Sequence, residues 1–502
     1  MTAARRVTIL DLLTDKVDPR GAEALFLKYI GRQYYSIMPQ VAAAWCRRRG
    51  HQVRYETYFG QTAPDALIDR DCDILFISAY TRASALAYAL AKVAKGFGAR
   101  TVIAGPHATC FPEDAARFFD NVVVSCTEEQ VMDLVEGRIG PGEIVTSGKS
   151  SIALPSLAER LDDVKHAAFV NGKRSRLSTV SLLTSTGCPY SCSFCSDWNS
   201  VYAARGTEEV AADLTTAAEV FPGNIVAFHD PNFGVRFDQT LAAFERIPPK
   251  QRNPYVVESS LSLLRSDRID RLQDTNCSYL APGVESWYDY GEKAKTSAST
   301  GHSKFQQVCD KFSELSEKIP SLQANFLLGD DGDVGQEPIE LTKEFISRFP
   351  GVFPVINFPM AFGATPLRDE LAASGRLLPL PPIHYSSPVM THQFLNYSMR
   401  EALLNKVALI DHILSPGLFA RRMTRKCPVA AKIFWSLFLF KLASYRRELK
   451  GLLRLLDEDE GFRGFHAGHK REVPRYYDER LDRRLGRYAP LLTASDRALE
   501  AA

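Results

Sequence analysis

Three cysteines, Cys188, Cys192 and Cys195, stand within eight residues of one another, directly after the apolar run 180–183. A short apolar run that ends in such a group predicts a strand leading into a cysteine loop. Thiolates are the usual ligands of iron–sulfur clusters. Three of them can hold three irons of a [4Fe–4S] cube while the fourth iron keeps an open position, so the spacing predicts a cluster able to bind a further ligand.

Zinc is the alternative metal for these thiols. Structural zinc sites are usually tetrahedral sets of four ligands that come in pairs. In this sequence Cys277, Cys309 and Cys427 are isolated, and neither a second cysteine pair nor a histidine pair stands nearby at ligand spacing. The pattern therefore favours the iron–sulfur cluster.

The CxxxCxxC spacing, with Phe194 before the last cysteine, resembles the radical S-adenosylmethionine (SAM) superfamily. The resemblance implies that the open iron binds the amino and carboxylate groups of SAM and that Phe194 lies near the adenine. Tyr190 is interpreted as a shield of the cluster against water and oxygen. The family also implies a small-molecule substrate and an electron donor such as a flavodoxin or a ferredoxin.

Residues 177–384 are expected to position the cysteine loop. Strand-like runs at 181–184, 225–229, 255–258, 279–284, 323–328 and 355–360 alternate with helical stretches. Six such alternations predict a partial (β/α)₆ barrel, and sites in barrels lie at the carboxyl ends of the strands.

Polar or flexible residues that end these runs are the candidate cofactor-binding residues: Asp230, Asn232, Ser259, Glu285 and Met360. The resemblance implies that Asp230 and Asn232 hold the amino end of SAM and that Glu285 faces the adenosyl group or the substrate. It also implies that the loop around Met360 packs the adenine. A helix N-cap formed by Glu285 and Ser286 is the structural alternative.

Residues 1–137 alternate strand-like and helical runs, with strands expected at 7–13, 52–58, 73–78, 101–104 and 122–125. Such alternation predicts a doubly wound parallel sheet, which binds ligands at the carboxyl ends of its strands. The fold class is thus α/β throughout the first two domains.

The stretch Ala104-Gly105-Pro106-His107-Ala108-Thr109 resembles the cobalamin-binding domain that precedes the barrel in one branch of the superfamily. Gly105 and His107 are the candidate cobalamin contacts, although His107 is interpreted as a loop residue and not as a metal ligand. The loop 14–21 lacks the DxHxxG motif and offers no histidine to cobalt. Cobalamin is expected; the alternative is a sheet that only packs on the barrel or contacts the substrate.

Residues 138–176 are rich in glycine, proline and serine and predict a linker, and residues 385–502 predict a mostly helical region. Within that region, 433–440 is apolar nearly all round and is expected to pack as a buried helix, with a peripheral membrane contact or a partner as alternatives. The arginines near the C-terminus alternate with acids and predict a solvated helix.

Composition excludes several classes of protein. The chain has 502 residues and a net charge of +2, which gives no global electrostatic reason to bind nucleic acid. Ten cysteines, three of them assigned to metal, do not form a disulfide framework. No window reaches the roughly 18 apolar residues of a membrane-spanning helix. A reducing cytoplasm is expected.

The function expected from these observations is cobalamin-dependent transfer of a methyl group to an unactivated carbon. Two alternatives stay open at this point. One is a radical SAM enzyme that works without cobalamin and catalyses a rearrangement or a 3-amino-3-carboxypropyl transfer. The other is a non-catalytic iron–sulfur protein that transfers electrons.

Overall fold

The computed structural model describes residues 3–148, 153–288, 300–424 and 429–499. Two six-stranded parallel sheets follow one another along the chain, and a helical region completes it. Residues 149–152 of the expected linker, and Cys427, lie outside the described residues.

The first sheet has the strand order β2-β1-β3-β4-β5-β6. Val7 and Ile9 face one helical layer, which includes Trp45, while Leu10 and Leu12 face the other. The predicted doubly wound sheet is confirmed. Its strands are β1 Arg6–Leu12, β2 Gln52–Tyr58, β3 Ile74–Ala79, β4 Arg100–Ala104, β5 Asn121–Val123 and β6 Ile144–Val145.

The helices of this part are α1 Gly21–Tyr29, α2 Ile37–Arg48, α3 Ser84–Lys95, α4 Pro106–Cys110, α5 Pro112–Ala116, α6 Glu128–Val135 and α7 Leu161–Ala168. Strand β6 and helix α7 lie in the segment predicted as a linker. Helix α7 is tied to the first domain because Arg32 donates hydrogen bonds to the carbonyl oxygens of Ala167 (2.8 Å) and His166 (3.0 Å). The sheet therefore has one strand more than the sequence predicts.

The second sheet is the predicted partial barrel, with all neighbouring strands parallel and the order β14-β13-β12-β11-β10-β7. A short antiparallel ribbon, β8 with β9, follows β7. The strands are β7 Thr179–Leu182, β8 Ser185–Thr186, β9 Ala203–Ala204, β10 Ile225–Phe228, β11 Tyr255–Ser260, β12 Cys277–Glu285, β13 Ser321–Leu327 and β14 Val352–Asn357.

The remaining helices are α8 Thr207–Val220, α9 Phe237–Glu245, α10 Ser266–Asp274, α11 Gly301–Lys318, α12 Glu337–Arg348, α13 Pro366–Ala373, α14 Met399–Ile413, α15 Pro416–Thr424, α16 Val429–Glu458, α17 Glu460–His466, α18 Arg475–Leu485 and α19 Ala494–Arg497. Short 3₁₀ turns occupy Gly31–Tyr34, Pro64–Leu67, Thr81–Ala83, Ala158–Arg160, Pro249–Gln251, Leu261–Leu263, Pro382–His384 and Gly486–Leu491.

Helix α16 packs one face on the barrel and leaves the other exposed. Trp435 stacks on Phe353 of β14, with 3.9 Å between ring centroids, and Leu439 is buried beside it. Ile433 and Phe440 on the opposite side are 57% and 62% exposed. The expectation of a buried helix thus holds for one face only.

The prediction of a solvated arginine helix is wrong for part of α18. Arg484 forms an ion pair with Asp15, and its carbonyl oxygen accepts a hydrogen bond from the backbone N–H of Val17 (3.1 Å). Arg480 donates to Ser386 Oγ (2.6 Å) and to the Ser387 carbonyl oxygen (2.7 Å). These contacts fix α18 to the first domain and to the segment before α14.

Within the described ranges, no single helix has both the length and the apolarity needed to cross a bilayer. Helices α14 and α15 meet that criterion only when taken together, as a pair bent by 43°.

Candidate functional site

The cysteine loop begins where β7 ends, and its first turn requires a glycine. Gly187 has φ +66°, and a Cβ atom there would lie 2.1 Å from the carbonyl oxygen of Val201. The next backbone N–H, that of Cys188, donates to Ser200 Oγ (2.9 Å). The loop is therefore closed against residues 200–201, and the side chain of Cys188 is buried.

The second half of the loop is a pair of tight turns. The N–H of Cys195 donates to the carbonyl oxygen of Cys192 (3.1 Å), and the N–H of Trp198 donates to that of Cys195 (3.1 Å). Cys192 is buried and Cys195 is half-buried.

Three thiols on one short loop at a strand end form the donor set of an iron–sulfur cluster. Among the described residues, no three Cys, His, Asp or Glu side chains are gathered into a set that could hold a metal ion. The loop nevertheless supplies the donors and the turns, so Cys188, Cys192 and Cys195 remain the predicted ligands.

Asp230, after β10, uses its carboxylate to hold the entry to this loop. It accepts hydrogen bonds from the N–H of Thr184 (3.0 Å), the hydroxyl of Thr184 (2.6 Å) and the hydroxyl of Ser185 (2.7 Å). Burial raises the pKa of Asp230, and these hydrogen bonds oppose the shift. The carboxylate thus already accepts hydrogen bonds from groups of the protein. Its contact with SAM stays a prediction.

Asn232 is the better-placed polar group for a ligand. Its side chain is 1% exposed, and neither its amide nitrogen nor its amide oxygen has a hydrogen-bond partner in the described part of the chain. Buried amides are normally satisfied, so an orphaned one fits a ligand that completes it. Ser259 is already used, because its hydroxyl donates to the Phe233 carbonyl oxygen (2.8 Å).

Glu285 ends β12 with a positive φ of 59°, an unusual conformation for a residue with a side chain. The strand end is fixed by two groups that sequence reasoning missed. Lys304 is buried and donates to the carbonyl oxygens of Val284 (3.0 Å) and Ser286. Asp333 accepts from Ser286 Oγ (2.8 Å).

The N-cap of α11 is Thr300, so the suggested capping role of Glu285 and Ser286 does not apply to that helix. Lys304 lies on α11 and Asp333 in the loop between β13 and α12, and no local pattern marks either one.

The exit from β14 closes the barrel over the cysteine loop. The N–H of Leu367 donates to the carbonyl oxygen of Ser193 (3.1 Å), and the indole N–H of Trp198 donates to that of Ala364. Phe194 and Met360, which the family resemblance places near the adenine, line one cavity of about 290 Å³. The structure therefore brings these two residues together.

Gly105 and His107, the candidate cobalamin contacts, lie after β4 at the edge of the first sheet. Gly105 has φ +91°, and a Cβ atom there would lie 3.1 Å from Ser78 Oγ. His107 is fully buried, with Nε2 2.5 Å from the hydroxyl of Tyr88, and burial lowers its pKa to about 3. His107 is thus a buried, neutral residue of the core, and its contact with cobalamin stays a prediction.

The two domains meet at the strand ends that carry the predicted sites. A Cβ atom on Gly363, in the exit loop of β14, would lie 1.6 Å from the carbonyl oxygen of Cys110 at the end of α4. Beside it, the Arg368 guanidinium lies 5.4 Å from the ring centre of Phe111 and donates to the hydroxyl of Tyr385 (2.9 Å). The carboxyl ends of the strands of the first sheet form the edge where a ligand is expected. This ligand edge therefore lies next to the cysteine loop.

Exposed aromatic residues face this junction from the first domain. Tyr34 and Tyr80 are 62% and 42% exposed. Partial burial raises the pKa of both phenols, and the negative charge of Glu258 on β11 contributes to the increase; for Tyr80 the charge of Asp11 contributes more. Exposed aromatic faces between two domains fit a flat ligand such as a corrin.

Comparison with known proteins finds a family match within the barrel. Residues 182–344 match the Radical SAM superfamily. A curated relative, bacteriochlorophyllide d C-12(1)-methyltransferase of Chlorobaculum tepidum, is 22% identical over 312 residues. The match covers 60% of this chain and 66% of that relative, slightly under two thirds of its length.

Solved structures share the fold of both domains. The radical SAM methyltransferase TsrM from Kitasatospora setae, with tryptophan substrate and a SAM analogue bound, has a TM-score of 0.56 and 14% identity. That match covers 90% of this chain and 99% of TsrM. The cobalamin-dependent SAM radical enzyme OxsB, with aqua-cobalamin bound, has a TM-score of 0.55 and 13% identity, covering 92% and 74%.

A second TsrM structure holds cobalamin and a [4Fe–4S] cluster, with a TM-score of 0.52 and 15% identity over 74% of this chain and 75% of TsrM. SAM is bound to OxsB in a further structure. All three cofactors expected from the sequence thus occur in structural neighbours.

Proposed function

We propose that this chain, a radical SAM enzyme by its barrel domain, catalyses cobalamin-dependent transfer of a methyl group to an unactivated carbon of a small molecule. The observation that carries this proposal is the contact of Gly363 with Cys110, which joins the ligand edge of the first sheet to the exit loop over the cysteine loop. Two cofactors bound at these edges would share one reaction space. The methyltransferase names of the relative and of TsrM support the same assignment.

When bound, the reduced cluster and SAM supply a 5′-deoxyadenosyl radical, and cobalamin supplies the methyl group. The residues of this chain bind, orient and exclude water. Asn232 offers an unsatisfied amide to the amino end of SAM, and Phe194 and Met360 would contact its adenine beside the cavity that they line. Asp230 fixes the strand end from which the cysteine loop starts.

Product analysis of the anaerobically reconstituted enzyme tests the reaction. With hydroxocobalamin, SAM and a reductant, we expect retained corrinoid, 5′-deoxyadenosine and S-adenosylhomocysteine. Formation of 5′-methylthioadenosine would contradict methylation and would support 3-amino-3-carboxypropyl transfer as the reaction. A reducible cluster that yields no cleavage product with candidate substrates would leave the electron-transfer alternative.

Replacing the three cysteines by alanine tests the cluster itself. The triple variant should lose the roughly four irons per chain that one [4Fe–4S] cluster contains. Cys309→Ala is the matched control, because Cys309 is also buried but lies on α11. The assignment fails if the triple variant keeps a full complement of iron.

Two further partners belong to the proposal. A flavodoxin or a ferredoxin would reduce the cluster, since a radical SAM enzyme needs an electron donor. The exposed side of residues 433–440, which combines apolar residues with the exposed Lys441, would contact a membrane surface peripherally.

A further inference from the structure

Lys406 on α14 is a buried cation that the proposed reaction does not yet use. Its side chain is 1% exposed, and in the described part of the chain it makes neither a hydrogen bond nor an ion pair. Among the described residues, its ammonium lies over two aromatic rings: Nζ is 4.1 Å from the ring centre of Phe358 and 5.3 Å from that of Tyr445. Lysine is almost never fully buried unless paired, because an isolated buried charge is costly.

Lys304, another buried lysine, has a structural role and serves as a comparison. Lys304 is equally buried, but its ammonium donates to two carbonyl oxygens and fixes the end of β12. Lys406 fixes no such backbone group. Its neighbours Leu403, Val407 and Ile410 pack in an apolar core, where a methionine would serve the packing equally well.

Lys406 instead lines the cavity of about 290 Å³ beside the cysteine loop. This volume is near the lower limit of small-molecule pockets, roughly 300 Å³. The other lining residues are Phe194, Leu327, Asn357, Phe358, Pro359, Met360, Phe362, Ser387, Pro388 and Val389. Most of them are apolar, so Lys406 provides the single positive charge among the lining residues.

We infer that Lys406 binds a carboxylate of the substrate and that the substrate is an apolar molecule bearing this group. The inference rests on the proposed function, since it places the substrate in the cavity beside the cluster loop. A carboxylate would satisfy the ammonium and offset the cost of burying it. Burial lowers the pKa of Lys406 to about 7, and a bound anion would raise it again and restore the charge.

A matched acid and amide test this assignment. Indole-3-acetate and indole-3-acetamide have nearly the same shape and differ in charge. The wild-type protein should bind the acid about tenfold or more tightly than the amide, as expected for a charge-assisted hydrogen bond. Lys406→Met should abolish this preference. Lys450→Met, at an exposed position of α16, should keep it. Equal wild-type affinities, no binding of the acid, or a preference that survives Lys406→Met would overturn the inference.

SAM also carries a carboxylate that could bind Lys406. Equilibrium dialysis with SAM distinguishes the carboxylate of the cofactor from that of the substrate. Lys406→Met with an intact cluster should bind SAM with wild-type affinity. A tenfold loss of SAM affinity would assign Lys406 to the cofactor and overturn the substrate role. Absence of iron or of SAM cleavage in the wild-type protein would count against the proposed function, whereas the acid preference is measured independently of turnover.

Thermal unfolding separates binding from structural support. Because Lys406 has no polar partner in the described structure, Lys406→Met should unfold at the same temperature as the wild type or higher. Lys406→Gln is the second variant if methionine prevents folding. A marked fall in unfolding temperature with both variants would make Lys406 a structural residue and overturn the inference.

Discussion

At the scale of single residues, Asp230 links the barrel to the cysteine loop. Its carboxylate accepts the backbone N–H and the hydroxyl of Thr184 and the hydroxyl of Ser185, and all of these groups are buried. The chain then needs only Thr186 and Gly187 to reach Cys188. Asp230 therefore fixes the strand end that leads to Cys188, the first of the predicted cluster ligands.

Asp230→Ala should lower the iron content of the reconstituted protein. The substitution leaves the N–H of Thr184 and two hydroxyls without their acceptor, at a cost of about 1–3 kcal/mol for each unsatisfied group. Iron analysis and thermal unfolding measure the effect. Asp238→Ala is the control, because that carboxylate is 85% exposed. Full iron content in Asp230→Ala would show that the loop folds without this carboxylate and would favour a contact with SAM.

At the scale of elements, α16 combines two surfaces. Trp435 and Leu439 attach it to the barrel, while Ile433, Phe434, Leu437 and Phe440 stay exposed on its outer side. Lys441 and Lys450 stand on the same helix and are exposed. An apolar strip with neighbouring cations is typical of helices that lie in a membrane interface.

The protein should therefore sediment with vesicles that contain anionic lipid, and more weakly at high salt, which screens the lysines. Leu437→Glu combined with Phe440→Glu should abolish binding, because both substitutions place a charge on the strip. Gln306→Glu combined with Ser316→Glu, which adds the same two charges at exposed positions of α11, should retain most of it. Unchanged sedimentation of the double variant would exclude this strip as the contact.

At the scale of the whole molecule, several sets of contacts hold the first domain in place, among them hydrogen bonds of Gln33 and Tyr35 with Thr179 and Ser181 of the barrel. Gly363 lies against the carbonyl oxygen of Cys110 next to the cysteine loop. On the other side, Arg484 of α18 pairs with Asp15 in the loop after β1. The helical region thus fixes the first sheet over the barrel, and any reaction between the two proposed cofactors depends on this placement.

Gly363→Ala should loosen the junction of the domains. The new methyl group would lie 1.6 Å from the Cys110 carbonyl oxygen, so the exit loop of β14 has to move. Overpacking of this kind costs about 1–3 kcal/mol. We expect a lower unfolding temperature and reduced retention of corrinoid, with iron content less affected. Gly417→Ala, where a Cβ atom meets nothing within 4 Å, is the control. Wild-type stability and corrinoid retention would contradict the proposed role of this contact.

The sequence by itself determined most of the strands, their α/β alternation and the cysteine loop, while β6, β8 and β9 were not predicted. These features are local: a short apolar run defines a buried strand, and three thiols in eight residues define a donor set regardless of what surrounds them. The resemblance to the radical SAM superfamily implied that Phe194 and the Met360 loop lie near one ligand, and the structure places both in one cavity.

Only the tertiary structure decided which polar groups are free to act. Asp230 and Asn232 look equivalent in the sequence, but the first is satisfied by Thr184 and Ser185 and the second has no partner among the described residues. Likewise, nothing local distinguishes Lys304, Lys406 or Arg484 from solvated cations. Burial and hydrogen-bond partners come from segments distant in the chain, and packing of those segments is set by the whole fold.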